Sequence, residues 1–484
     1  MDLQELKPDH KSGHKSGHKP GLPIYRQLYH RFKEAIAEGK LRPGDRVPSV
    51  RALASELGIA RGTVELAYQL LAGEGYFLAR GPAGTVVSPR LGGVDAPQRA
   101  VVAKPRSSRG PAVRKPAEAP PPFAIGLPAL DAFPRKTWTR LAVRGMRTLD
   151  MAAMAFPDPA GYAPLRAAIA AYLGISRGIV CSAEQVFITA GYRGALELVC
   201  RSLLHSGDCG WHEDPGYTYV RDFLQRLGMV LAPVPVDEEG LDVEAGRRKA
   251  PGARFAVVTP THQYPTGVAL SLPRRLALLQ WARSRQAWII EDDYDSEFRY
   301  QGRPLPALKS LDQDGRVLYS SSFSKVLFPG LRLGYVVVPE SRIDRFQESA
   351  GHLPGPGSIL PQATVADFME QGHFARHLRK MRALYAQRRG YLAEALENVF
   401  GDALPVAEQA GGTHVVALLP AGCDDRAIAA LAQARGLAVQ ALSHWRMRRA
   451  REGGLLMGFT NIATPGQALA LVRQLAKAIQ LPPA

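Results

Sequence analysis

Cysteine is scarce. The 484 residues contain four (Cys181, Cys200, Cys209, Cys423), none in a C-x-x-C pair and none at zinc-ligand spacing. That argues against a disulfide-stapled scaffold and a cysteine-based zinc module. Plain buried thiols in a reducing cytoplasm are the expectation. Long apolar runs are also missing. No stretch reaches the roughly 18 residues that a membrane span needs. Met1-Asp2-Leu3 leads into His, Lys and Gly, without the apolar core of a signal peptide. No internal repeat extends beyond a short stretch near the N-terminus.

What is present is ordinary globular composition, 46% hydrophobic and 22% charged, at a length that suits two or three domains. Positive charge is in excess, 61 Lys and Arg against 44 Asp and Glu, a net +17. It is unevenly placed. Residues 1–122 hold 20 basic against 11 acidic side chains, a net +9. Nucleic acid is the natural anionic partner for such a segment.

Four stretches follow one another. Residues 1–20 contain KSGHKSGHKP and read as a disordered basic tail. His10, His14 and His18 are spaced by four, but the intervening glycines oppose a metal-binding helix, and no metal is expected. Residues 21–88 are compact and patterned. Residues 89–122 are rich in Pro, Ala and Arg and read as a linker. Residues 123–484 alternate strand, loop and helix, with β-prone runs at 185–189, 255–259, 287–292, 316–320 and 333–338 and a helix over 194–204. That alternation predicts a mainly parallel sheet with helices on both faces.

In the first patterned stretch, Pro23 opens a helix whose apolar face carries Ile24, Leu28, Phe32 and Ile36, and Gly39 stops it. LRPGDRVPS is a tight connection. Ser49 is placed to cap a short helix over 50–57, which Gly58 breaks, and a third helix spans 61–73. Two short helices joined by a Gly-containing turn form a helix-turn-helix. YFLARGPAGTVVS reads as a hairpin, or wing. The third helix would enter the major groove with Arg61, Thr63 and Glu65 toward base edges or phosphates. Arg51 and Arg80 suit phosphates, with Ser49 beside them at the start of the second helix.

The larger stretch carries the parts that pyridoxal 5′-phosphate (PLP) requires. These are an amine, a carboxylate for the pyridine nitrogen, phosphate donors and a stacking ring. VLYSSSFSKVLFPGLRLGY places Lys325 after a strand, between Ser322 and Ser324 on one side and Arg332 on the other. AWIIEDDYDSEF ends a buried strand with Asp292 and Tyr294 on one face. FITAGYRGALEL runs from a strand through a turn at Gly191, Tyr192 and Arg193 into a helix whose N-terminus offers N–H groups to a phosphate. HEDPGYTY supplies Tyr217, and VVTPTHQYPTG supplies His262, Gln263 and Tyr264 on a Pro/Gly turn.

PSVRALASELGIARGTVELAYQLLAGEGYFLARGPAGTVVS resembles the GntR-type winged helix, and EDDYDSEF, SFSK-x6-R and HQYPTG resemble the fold-type I aminotransferases. Together, across roughly residues 21–480, the chain is similar to the MocR/GabR subfamily of GntR regulators. The resemblance implies a winged helix-turn-helix followed by an aminotransferase-like domain with a smaller C-terminal α+β subdomain. It implies a Schiff base on Lys325, Asp292 at the pyridine nitrogen and Tyr294 on O3′. Ser322, Ser324, Arg332 and the Gly191–Arg193 turn would hold the phosphate, and Tyr217 would stack on the ring. The family is a homodimer that binds double-stranded operator DNA.

Several positions depart from working aminotransferases. Tyr264 stands where Asn is usual and Arg193 where Gln is common. Phe156, in AFPDPAG, lacks a hydroxyl that the family often places before Gly-Asp-Pro. GLLMGFTN holds no arginine for a substrate carboxylate, although Arg446, Arg448, Arg449 and Arg451 lie just upstream. The expected function is a cytoplasmic transcription regulator that senses an amine or amino-acid effector, or PLP itself, through an aldimine on Lys325. The competing readings are an active aminotransferase carrying a DNA-binding domain and a DNA-binding protein whose second domain binds no cofactor.

Overall fold

The computed structural model describes residues 22–89, 120–302, 304–448 and 453–479. The tail with His10, His14 and His18, most of the linker, and Arg449 and Arg451 lie outside the described residues. The chain divides into two compact units, residues 1–114 and 115–484.

The first unit is built from α1 (Ile24–Ala37), β1 (Arg46–Val47), α2 (Val50–Leu57), α3 (Arg61–Gly73), β2 (Phe77–Ala79) and β3 (Thr85–Val87). Ser49 caps α2, its side chain accepting from the Ala52 N–H at 3.1 Å. Gly58 ends that helix at φ 65°, a left-handed conformation that suits glycine. Leu28 and Phe32 from α1, Leu53 from α2, Val64 and Leu71 from α3 and Phe77 from β2 share one core. Phe32, Tyr68 and Phe77 meet edge to face at centroid distances of 5.1–5.6 Å, and each such pair contributes about 1 kcal/mol beyond its buried area. The wing is a three-stranded antiparallel sheet in the order β1-β3-β2. Its extra strand, Arg46–Val47, lies in the segment expected to be a plain connection, because two residues carry no periodicity to read.

The second unit contains α4 (Arg135–Thr148), α5 (Met151–Met154), α6 (Ala163–Arg177), β4 (Val186–Thr189), α7 (Tyr192–Leu203), β5 (Cys209–Asp214), β6 (Val230–Asp237), β7 (Gly240–Leu241), β8 (Phe255–Val258), β9 (Trp288–Asp293), β10 (Val317–Ser322) and β11 (Gly334–Val337). The strands form one eight-stranded sheet in the order β4-β11-β10-β9-β8-β5-β6-β7. From β10 across to β6 the pairing is parallel. β11 runs antiparallel to both β10 and β4. The reason is the connection. No α-helix lies between β10 and β11, and a parallel return needs a crossover, usually helical. The β10–β11 loop is the segment that carries Lys325 and Arg332. It therefore stays folded over the end of the sheet.

The strands are buried on both faces, as Trp288, Ile289 and Ile290 illustrate at 8%, 0% and 0% exposure. Beyond them, β12 (His414–Leu418), β13 (Gln440–Ala441) and β14 (Gly454–Gly458) form a small antiparallel sheet in the order β12-β14-β13. The four cysteines are free. Cys200 is buried, but Cys181, Cys209 and Cys423 are half-buried, which corrects the expectation of four buried thiols. Among the described residues no helix is long and apolar enough to cross a membrane.

Candidate functional site

Parallel strands deliver their carboxyl ends to one edge of a sheet, and ligands sit there. Here that edge opens into a cavity of about 640 Å³. Its wall includes Asp292, Tyr294, Ser322, Ser324, Lys325 and Arg332, together with Tyr192, Arg193 and Tyr217. Residues 192 to 332 in sequence thus converge on one space.

The electrostatics of the wall follow from burial. Lys325 has its pKa lowered by desolvation, against the pull of Asp295 and Asp292. Its Nζ donates to the Gly126 carbonyl at 2.7 Å. Gly126 sits at φ 79°, a left-handed conformation that favours glycine, and a Cβ there would lie 2.7 Å from Nζ. Burial pushes the Asp292 carboxyl up to about 8, with Tyr192 and Lys325 pulling it down and Asp293 and Glu213 adding to the rise. The Tyr192 hydroxyl is buried without a partner of good hydrogen-bond geometry. Glu213 is likewise pushed up, to about 7, although Thr259 and Gln263 donate to it.

At the other end the charge is positive. Arg332 sits at φ 51° and donates to the Ala190 carbonyl at 3.2 Å. Gly191, at φ 75°, is the N-cap of α7, and a Cβ built on it would come 3.7 Å from the Arg332 guanidinium. The helix starts at Tyr192 rather than 194 because that cap places the first turn two residues earlier. The N–H groups of its first turn and the Arg332 guanidinium are the donors that could hold an anion here. Arg193 also lies over the Phe223 ring, 5.5 Å from its centroid.

PLP fits this wall. Its phosphate matches the Arg332 and α7 end, its pyridine nitrogen matches a buried carboxyl, and its aldehyde matches a buried amine whose charged form is already disfavoured.

Two predicted residues stand differently from expectation. His262 does not line the cavity. It lies behind Tyr294, whose hydroxyl is 2.9 Å from its Nδ1. Gly191 shapes the anion end through Arg332 instead of lining the wall. Of the upstream arginines, Arg446 is half-buried with an unpartnered Nε, and Arg448 is exposed; neither lines the cavity.

Other wall residues escaped the sequence. Trp445, 6% exposed, meets Tyr264 edge-on at 4.9 Å and lies nearly parallel to Tyr217 at 6.0 Å. Gln440 and Tyr219 also line the cavity. Trp445 comes from the small subdomain, and its carbonyl accepts from the Gly216 N–H at 2.9 Å. The Met447 N–H donates to Asp214 at 2.8 Å, which fixes this loop against the Tyr217 loop. Only the neighbouring arginines drew attention to that segment.

In the first unit, Arg51, at the start of α2, Arg61, at the start of α3, and Arg80, before the wing turn, are exposed. Within the described residues none makes a side-chain hydrogen bond or ion pair. Thr63 is half-buried in the first turn of α3, and Glu65 is exposed. Ser49 is exposed and serves as the α2 cap.

A family model described as aminotransferase class I and II matches residues 129–462. One for bacterial regulatory proteins of the gntR family matches residues 24–87. A probable rhizopine catabolism regulatory protein, MocR, of Rhizobium meliloti is 37% identical over 91% of each chain. An HTH-type pyridoxine biosynthesis transcriptional regulator, PdxR, of Corynebacterium glutamicum is 34% identical over 90% of this chain and 92% of that one. Among solved structures, a kynurenine aminotransferase of Pyrococcus horikoshii matches 74% of this chain and 89% of its own at 27% identity, with a TM-score of 0.67. The chain belongs to the MocR-type GntR regulators, in which a helix-turn-helix DNA-binding domain is joined to a PLP-dependent aminotransferase-like domain.

Proposed function

We propose that this regulator couples the occupancy of its cavity to operator affinity. The reading is carried by the meeting of a buried amine, a buried carboxyl and an anion end in one cavity of a DNA-binding protein. Lys325 anchors PLP, Asp292 holds the pyridine nitrogen and Tyr294 the phenolic oxygen. Ser322, Ser324, Arg332 and the N-terminus of α7 hold the phosphate, and Tyr217 covers the ring. PLP supplies an aldehyde that combines with primary amines. Desolvation disfavours the charged form of Lys325, and Tyr217, Tyr264 and Trp445 give the cavity an aromatic wall.

The signal is an amine-bearing effector or PLP itself. The relatives' names favour neither, since one refers to rhizopine catabolism and another to pyridoxine biosynthesis. A ligand shifts DNA binding only if it favours one conformation over another. The Gly216–Trp445 and Asp214–Met447 bonds join the two sides of the cavity and are where such a difference would register. The protein acts as a homodimer on double-stranded operator DNA. Support for the dimer comes from a run of exposed apolar side chains on and after α4 and α5, namely Val143, Met146, Met151, Met154 and Phe156, the last 97% exposed.

Operator binding followed by fluorescence anisotropy, first with PLP titrated alone and then with a panel of primary amines added, tests the coupling. Affinity is expected to change at least threefold in one arm and not at all in Lys325→Ala. No response in either arm rejects the coupling. The complete Lys325, Asp292 and Arg332 set favours a second reading, catalysed transamination. Steady-state turnover with amino acids and 2-oxoacids, abolished by Lys325→Ala, would establish it.

A further inference from the structure

Behind the cavity wall, His262 faces two oxygens with a single nitrogen. Its Nδ1 lies 3.0 Å from Asp295 Oδ1 and 2.9 Å from the Tyr294 hydroxyl. All three groups are held in place. His262 and Asp295 are 8% and 1% exposed. The imidazole packs against Gly412, at φ 97°, where a Cβ would lie 2.4 Å from Cε1. Gly412 is itself fixed, its N–H donating to Phe298 and its carbonyl accepting from the Tyr300 hydroxyl.

The tautomer follows from the contacts. His262 Nε2 is buried with no partner among the described residues. A proton there would be a buried, unpaired donor, costing about 1–3 kcal/mol. It would also leave the Nδ1 lone pair facing a carboxylate oxygen. The proton therefore sits on Nδ1 and is shared between Asp295 and Tyr294. Tyr294 is then the acceptor in this contact, and its own proton must point elsewhere. Tyr294 itself lines the cavity.

We propose that Asp295 and His262 form a positioning pair that turns the Tyr294 proton into the cavity, making Tyr294 a fixed donor to the phenolic oxygen of the cofactor. The inference rests on the reading of the cavity as a PLP site. The other titratable groups near Tyr294 are Asp292, Glu213 and Tyr264. His414 lies beside His262, at 6.3 Å between ring centroids. Burial pushes the His414 pKa down to about 4, so it brings no positive charge to the pair near neutral pH.

A hydrogen bond donated to the phenolic oxygen stabilises negative charge there, which favours loss of the proton that the chromophore on Lys325 titrates. Without that bond the titration midpoint of the visible absorption band rises. The experiment loads the full-length protein with PLP and titrates that band. His262→Phe is expected to raise the midpoint by about one pH unit, a tenfold change in proton affinity. His262→Asn, whose amide nitrogen can stand in for Nδ1, is expected to restore it. Tyr294→Phe is expected to shift it by as much as His262→Phe, and the double variant by no more than either. An unchanged midpoint in His262→Phe, or additive shifts in the double variant, overturns the positioning role. A melting temperature of the cofactor-free variant close to that of the parent separates the effect from misfolding. If the parent protein forms no visible band with PLP, the reading of the cavity fails instead.

Discussion

Asp292 and Lys325 are disfavoured in their charged forms for the same reason, burial, but the consequences have opposite sign. An unfolded aspartate titrates near about 4, whereas Asp292 is pushed up to about 8. Between those values the folded chain holds a proton that the unfolded chain has lost. Its contribution to stability therefore falls as pH rises through that window. In the proposed site a protonated pyridine nitrogen would face the carboxylate and remove the penalty. The gain in melting temperature on adding PLP is thus expected to be larger at pH 8 than at pH 6. Asp292→Asn should flatten the difference, as differential scanning calorimetry would show. A pH dependence equal in the variant and the parent would reject Asp292 as the partner of the nitrogen. The acid at the end of a WII strand was readable from sequence, because strand alternation and an apolar lead-in suffice. The His262 placement was not, since a residue on a Pro/Gly turn faces the cavity or stands behind it according to how the turn folds.

At the scale of elements, α2 and α3 carry separable roles. Ser49 caps α2, so Ser49→Ala is expected to destabilise the winged helix by about 1 kcal/mol, read as a lower midpoint in urea. Arg61 is exposed at the start of α3. Arg61→Ala should leave that midpoint unchanged and weaken operator binding roughly tenfold to a hundredfold. Arg51→Ala should instead reduce the slope of log affinity against log salt by about one. Equal loss of folding and binding in all three variants would contradict the division. These helices were legible because Ser49, Gly58 and the apolar spacing act within a few residues. β1 was missed, since a two-residue strand exists only through its pairing with β3. The expectation of a mainly parallel sheet did not single out β11, whose antiparallel course follows from the helix-free connection after β10.

For the whole molecule, the exposed apolar run around α5 bears on assembly. Met151 and Phe156 are 88% and 97% exposed, unusual for large apolar side chains unless another surface covers them. Phe156→Asp combined with Met151→Asp is expected to convert a dimer into a monomer in analytical ultracentrifugation. Affinity for a two-half-site operator should fall far more than affinity for a single half-site. A parent protein that sediments as a monomer would remove the homodimer from the proposal.

The sequence by itself determined the two kinds of domain, the helix-turn-helix and the cofactor, and it singled out Lys325, Asp292 and Arg332, which line one cavity. Each rests on short-range signals: caps, alternation, and side-chain chemistry next to strand ends. Only the tertiary structure decided which side chains share the cavity. It brought Trp445 and Gln440 in from the small subdomain, set His262 behind Tyr294 and put Gly126 against the lysine amine. Those placements depend on how distant segments pack, which residue spacing along a chain does not encode.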